Sequence, residues 1–207
     1  MHPQSVSGET ISGFAALRRK KRWWVATLIG GAILTVIAAG SLFVYMGGYD
    51  VAADTPHTQP VFWLMTTVRE RSIAARTNGI VAPPDLTDPK RIASGAAQYE
   101  EMCSGCHLAP GMKRTEISQG LYPRAPELRR GSGRTPAEEF WVVKHGLKMS
   151  GMPAWGVTHD DDMLWDIVAF VRKLPELTPD QYQALVKSAP SHEEMMQRQG
   201  GEMDHDH

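Results

Sequence analysis

The 207 residues carry 22 Lys+Arg against 23 Asp+Glu, with 42% hydrophobic residues, 22% charged residues and 2 Cys. The near-neutral balance excludes the strongly basic surface of a nucleic-acid binder, and the apolar content excludes disorder throughout. Two thiols are too few for a disulfide-stapled small fold, or for a four-thiolate zinc or iron–sulfur site.

Residues 1–22 set Arg18, Arg19, Lys20, Lys21 and Arg22 against Glu9 alone. From Trp23 to Met46 no residue is charged. A helix of that length spans roughly 36 Å, enough to cross a hydrocarbon core of about 30 Å. Trp23 and Trp24 at one end, and Tyr45 and Tyr49 at the other, suit the two interfaces. The basic run predicts a cytoplasmic N-terminus, with everything after residue 50 outside the cytoplasm. A cleaved signal peptide with Ala38-Ala39-Gly40 as its cleavage site is the competing reading, but signal h-regions run only about 7–15 residues. An uncleaved, single-pass anchor in a bacterial cytoplasmic (inner) membrane is expected, with residues 23–46 in the bilayer.

Residues 47–87 read as a linker with one helix. Pro60 opens that helix, which runs to about Arg76 and places Val61, Leu64, Met65 and Val68 on one face. This face could dock on a membrane partner, pack on its own domain or lie on the bilayer. Asp88-Pro89 opens the next helix, which carries Ile92, Ala96 and Tyr99 to Met102-Cys103. Residues 108–135 read as loop with short turns. Thr135-Pro136 caps a helix with Phe140, Trp141, Val143 and Leu147. Thr158 through Asp162 open the last core helix, where Met163, Ile167, Phe170 and Val171 recur up to Pro175. Residues 179–207 form a short helix and an acidic His/Met-rich tail, expected to be disordered from Ser191. No strand-like alternation occurs, so the expected fold class is all-α.

The two cysteines lie together in MCSGCHLAP, as Cys103, Cys106 and His107. Cys-x-x-Cys-His is the attachment signature of c-type haem. Two thiols three residues apart on one helical turn can add across the two vinyl groups of one porphyrin, and the next residue then lies below the ring with its imidazole able to bind iron. One covalent haem c is the expected cofactor. A thioredoxin-like pair would need a βαβ setting, a Cys103–Cys106 disulfide would close a tiny strained ring, and a zinc site lacks its second ligand pair. Iron in electron-transferring cytochromes c is held by His and Met. Met152 is the favoured second axial ligand, because it lies in a loop between two apolar helices and is followed by Pro153. Met149, His145 and His159 are the other candidates. The expected metal ligands are therefore His107 and Met152, and no catalytic residue is assigned.

Residues 88–178 resemble the class I cytochrome c domain of bacterial membrane-anchored monohaem cytochromes c. The resemblance rests on CSGCH with its preceding GAAQYE helix, on the MSGMPAW loop and on the closing LWDIVAFVRKLP helix. It implies that the first and last helices cross at Gly95 and Tyr99 against Ile167 and Phe170. It also implies that a backbone carbonyl soon after the motif, with Pro110 as candidate, orients the ligand histidine, and that Pro126 and Leu128 cover the haem edge. The N-terminal anchor and the tail lie outside the pattern.

These features point to a non-enzymatic one-electron carrier, membrane-anchored and periplasmic, exchanging electrons with redox protein partners at the membrane. Lys113, Arg114, Arg124, Arg129, Arg130 and Arg134 could rim the haem edge and steer an acidic partner, or neutralise haem propionates. The alternatives are a haem subunit of a periplasmic dehydrogenase or oxidase complex, a haem-based gas sensor, and a metal-handling protein. The last would bind copper or zinc through His192, Met195, Met196, Met203, His205 and His207.

Overall fold

The computed structural model describes residues 8–191, 193–195 and 197, and no strand occurs among them. The chain divides into two units, Met1–Ala52 and Ala53–His207. The first is one helix, α1, Gly8–Tyr45. It extends the uncharged run back through the basic residues, which are good helix formers. Within Arg18–Tyr45 an 18-residue stretch reaches a mean hydropathy of 2.1 with none of it buried by protein, so the helix is long and apolar enough to cross a membrane. It stops where glycine allows a left-handed residue. Gly47 has φ +67°, its N–H donates to Val44 O, and the Gly48 N–H reaches back to Phe43 O.

The second unit holds α2 (Gln59–Arg76), α3 (Pro89–Met102), α4 (Ser104–His107), α5 (Glu116–Gly120), α6 (Pro136–His145), α7 (Asp161–Lys173) and α8 (Pro179–Ser188). Short 3₁₀ turns lie at Leu128–Arg130, Trp155–Val157 and Leu174–Glu176. Each α-helix of the core starts at a side-chain cap. Asp88 accepts from the Lys90 N–H, Thr135 and Glu138 form a reciprocal capping box, and Asp160 accepts from the Met163 N–H.

The core is the crossing of α3 and α7. Gly95 faces the α7 backbone so closely that a Cβ there would stand 2.0 Å from Asp166 O and 2.8 Å from Phe170 Cβ. One turn on, Tyr99 packs on Phe170 with ring centroids 5.2 Å apart. Phe140 of α6 stacks on Trp165 of α7 at 4.2 Å. Arg91 ties the two crossing helices at their open end, with Nη1 2.8 Å from Asp166 Oδ1 and Nη2 within reach of Asp85 and Asp162. From behind, α8 covers α3. Its Tyr182 is fully buried and donates to the Glu100 carboxylate.

The expected disorder from Ser191 is corrected for the residues described there. Residues 193–195 and 197 are helical, and Ser191 caps them by the same reciprocal exchange with Glu194 that opens α6. Met195 is only 8% exposed, and the Ser94 hydroxyl donates to its sulfur at 3.1 Å. One apolar residue behind a capping box suffices, although it makes no period. His192, Met196, Met203, His205 and His207 lie outside the described residues, and the Met195 thioether is already engaged by Ser94.

Two outcomes follow from this packing. Gly95→Ala, with no room for a methyl between two backbones, should lower unfolding stability by about 3 kcal/mol in denaturant titration. Met195→Ala should cost about 2 kcal/mol in the same measurement, with the visible spectrum unchanged, because the residue packs on α3 away from the cysteines.

Candidate haem site

At its C-terminus α3 delivers Cys103, whose N–H still donates to Tyr99 O. The chain then turns once more as α4, with the Cys106 and His107 N–H groups both reaching Cys103 O. This single turn brings Cys103, Cys106 and His107 to the wall of one cavity of about 1010 Å³. Leu108 ends the turn at φ +62°, a left-handed conformation unusual for leucine. The buried Tyr99 hydroxyl holds it there by donating to Leu108 O at 2.6 Å. The residue that packs the helix crossing thus also fixes the residue next to the histidine.

His107 Nδ1 lies 2.9 Å from Pro126 O. A carbonyl only accepts, so Nδ1 carries the proton and Nε2 keeps its lone pair for a metal. Burial pushes the imidazole below its usual range, more than the Pro126 contact raises it, which favours the neutral ring that a metal would need. The orienting carbonyl is therefore Pro126, not Pro110. Pro110 sits in the tight turn closed by the Met112 N–H on Ala109 O, whereas the segment from Leu121 folds back against the imidazole. Burial, with the neighbouring Cys106 adding to it, pushes the Cys103 thiol up to about 12.

Met152 enters from the loop between α6 and α7. Gly146 breaks α6 at φ +62°, and a Cβ there would stand 2.6 Å from Pro153 C and 2.7 Å from Met152 O. The Leu147 N–H donates to Met152 O at 3.1 Å, the Ser150 hydroxyl donates to Leu147 O, and the Met152 N–H donates to Ser150 Oγ. This small ring of bonds leaves Met152 half-buried in the cavity wall, while Met149 is 79% exposed at its rim, at φ +58°. His145 reaches the rim beside Trp141. His159 is buried away from the cavity, against Trp155 and the Thr158 hydroxyl.

The basic loop divides. Arg124 and Arg134 line the cavity, but Arg129 and Arg130 pair with Glu127, whose carboxyl Arg129 holds below its usual range. Arg114 donates to Ser118 O. Leu128 and Pro126 do lie in the wall. Two features escaped the sequence reading. Glu139 is buried beside the cavity, accepting from the Ser132 hydroxyl and from Arg172; burial pushes its carboxyl up despite both. The cavity face of α2 is Phe62, Met65, Thr66, Val68, Arg69, Ser72, Ile73 and Arg76, which takes in Met65 and Val68 of the expected stripe but not Val61 and Leu64. Half of that face is polar, so an apolar period could not reveal it.

The residues fit a covalent haem. Two thiols and a neutral imidazole share one turn, a thioether stands in the same cavity, and the volume is at the upper end for cofactor sites. Among the described residues no group of three or more His, Cys, Asp and Glu side chains is arranged for a metal ion. Residues 90–171 match the family described as cytochrome c oxidase, cbb3-type, subunit III. No curated protein and no solved structure matches the chain.

Gly146→Ala would force the Met152–Pro153 backbone outward. The variant should keep its covalent haem in a denaturing gel but weaken or lose the sulfur-to-iron charge-transfer band of the ferric form.

Proposed function

We propose that the protein is a membrane-anchored one-electron carrier with one covalently bound haem c whose iron is ligated by His107 and Met152; the cytochrome family match over residues 90–171 and the apolar helix α1 support it. The observation that carries this reading is the convergence of Cys103, Cys106, His107 and Met152 on one cavity. Bound haem c supplies a one-electron couple and no bond-making chemistry of its own here. Cys103 and Cys106 hold it covalently. His107 presents Nε2 because Pro126 O takes its other nitrogen. Met152 presents sulfur from a loop whose backbone is fixed by Gly146 and Ser150. With His107 and Met152 both holding the iron, no position would be left open for a substrate, and the thioether would keep the potential high.

The basic run Arg18–Arg22 supports a cytoplasmic N-terminus, which puts the haem domain on the periplasmic side of the inner membrane. Covalent haem attachment in an exported domain agrees with that topology. The partners are redox proteins in or at the same membrane. A second reading, favoured by the family description, is a haem subunit of an oxidase complex. Recovery of the chain with stoichiometric larger subunits after mild-detergent extraction selects that reading over a free-standing shuttle.

Replacing both Cys103 and Cys106 by Ala should leave no haem that survives denaturation on the polypeptide. Met152→Ala should remove the ferric charge-transfer band and lower the midpoint potential, while Met149→Ala, at an exposed position, should leave both nearly unchanged. Spectroelectrochemical titration of the two methionine variants decides the ligand; the reverse pattern assigns it to Met149.

A further inference from the structure

Residues 59–76 stand apart from the matched segment 90–171, yet α2 forms one wall of the haem cavity. Its cavity-lining residues recur three or four apart, on one face of the helix. Phe62 and Met65 open that face, Ile73 is its fully buried anchor, and Arg69, Ser72 and Arg76 end it. The face is thus apolar at the start of the helix and cationic toward its end.

The charge on this wall is held in place. Glu70 accepts from Arg69 Nε at 2.8 Å and from Arg134 Nη2 at 3.0 and 2.9 Å, which joins α2 to the segment leading into α6. Burial works against the Glu70 charge, but the two guanidiniums hold its carboxyl below the usual range. Two cations sharing one carboxylate leave one positive charge uncompensated. Arg76 adds a second, because its Nη1 bonds only the hydroxyl and the carbonyl oxygen of Ser72, both neutral. The remaining Lys and Arg side chains that line the cavity are Arg124, two residues from the Pro126 that orients His107, and Lys148, in the Met152 loop. A haem held by His107 and Met152 would leave its rim to elements that carry neither ligand, and α2, which brings Arg69 and Arg76, is one of them. Haem brings two carboxylate side chains at its rim, and guanidinium pairs with carboxylate better than any other side chain.

We propose that α2 is an added wall of the haem site, and that Arg69 and Arg76 bind the haem carboxylates. The inference rests on the cytochrome reading above and extends it to a helix beyond the matched domain. Positive charge at this wall favours the reduced state, because reduction removes one positive charge from the iron.

The test uses full-length, haem-loaded protein in detergent micelles, as wild type, as the double variant Arg69→Gln with Arg76→Gln, and as the double variant Arg69→Lys with Arg76→Lys. In equilibrium redox titration the glutamine variant should shift about tenfold toward the oxidised state, a fall of about 59 mV for one electron. The lysine variant, which keeps both charges, should recover most of that shift. A glutamine variant at the wild-type midpoint, or a lysine variant as low as the glutamine one, overturns the proposal. Should the glutamine variant not accumulate, wild-type protein decides by side-chain NMR. The Nε–H resonances of Arg69 and Arg76 should move between the ferric and ferrous states, and unmoved resonances overturn the proposal. Absence of covalent haem from the wild type would instead strike the cytochrome reading itself, so the two failures are distinguishable.

Discussion

The haem side of the molecule depends on how closely two helix backbones approach at Gly95. With 2.0 Å between a would-be Cβ and the Asp166 carbonyl, no other residue lets α3 lie on α7 at this distance. That approach sets the height of Tyr99 against Phe170, and Tyr99 in turn fixes Leu108 through its hydroxyl. The position of the Cys103–His107 turn is therefore inherited from a contact two helical turns away. A shift of α3 along α7 would carry the whole attachment turn with it.

The two sides of the cavity are built on different principles. The histidine side is rigid by burial: Cys103 and Leu108 are buried, and the imidazole is held by a carbonyl from a distant loop. The methionine side is rigid by local bonding alone. Gly146, Ser150 and the Leu147 N–H bond to Met152 O make a small closed turn with little apolar cover, and Met149 and Pro153 beside it are exposed. Local opening is easiest where few apolar contacts must be broken, so the methionine side is the weaker of the two.

Much of this was legible in the chain. The capped, apolar-periodic helices α3, α6 and α7 announce themselves through Asp88, Thr135 and the 158–162 run, although in that run Asp160 and not the Thr158 hydroxyl is the cap, and Cys-x-x-Cys-His states its own chemistry. What was not legible depends on tertiary folding. Nothing local distinguishes Pro126 from Pro110 as the partner of His107, because the choice is made by a loop that returns over 19 residues. The face of α2 mixes arginine and serine with apolar residues, and its meaning comes only from the cavity it meets. The Ser191–Glu194 capping box was a local signal passed over, since the acidic composition around it pointed to a solvated end.

The burial of Cys103 bears on the order in which the protein is made. Its side chain is 7% exposed and burial pushes its thiol up, so in the closed turn the sulfur is held as the protonated thiol at neutral pH. Thiolate is the nucleophile, so burial in the closed turn works against bond formation at this sulfur. Bond formation at this sulfur is faster on a chain whose α3–α4 turn is still open. The closed turn is then the product of assembly, a latch that shuts after its cargo is fastened.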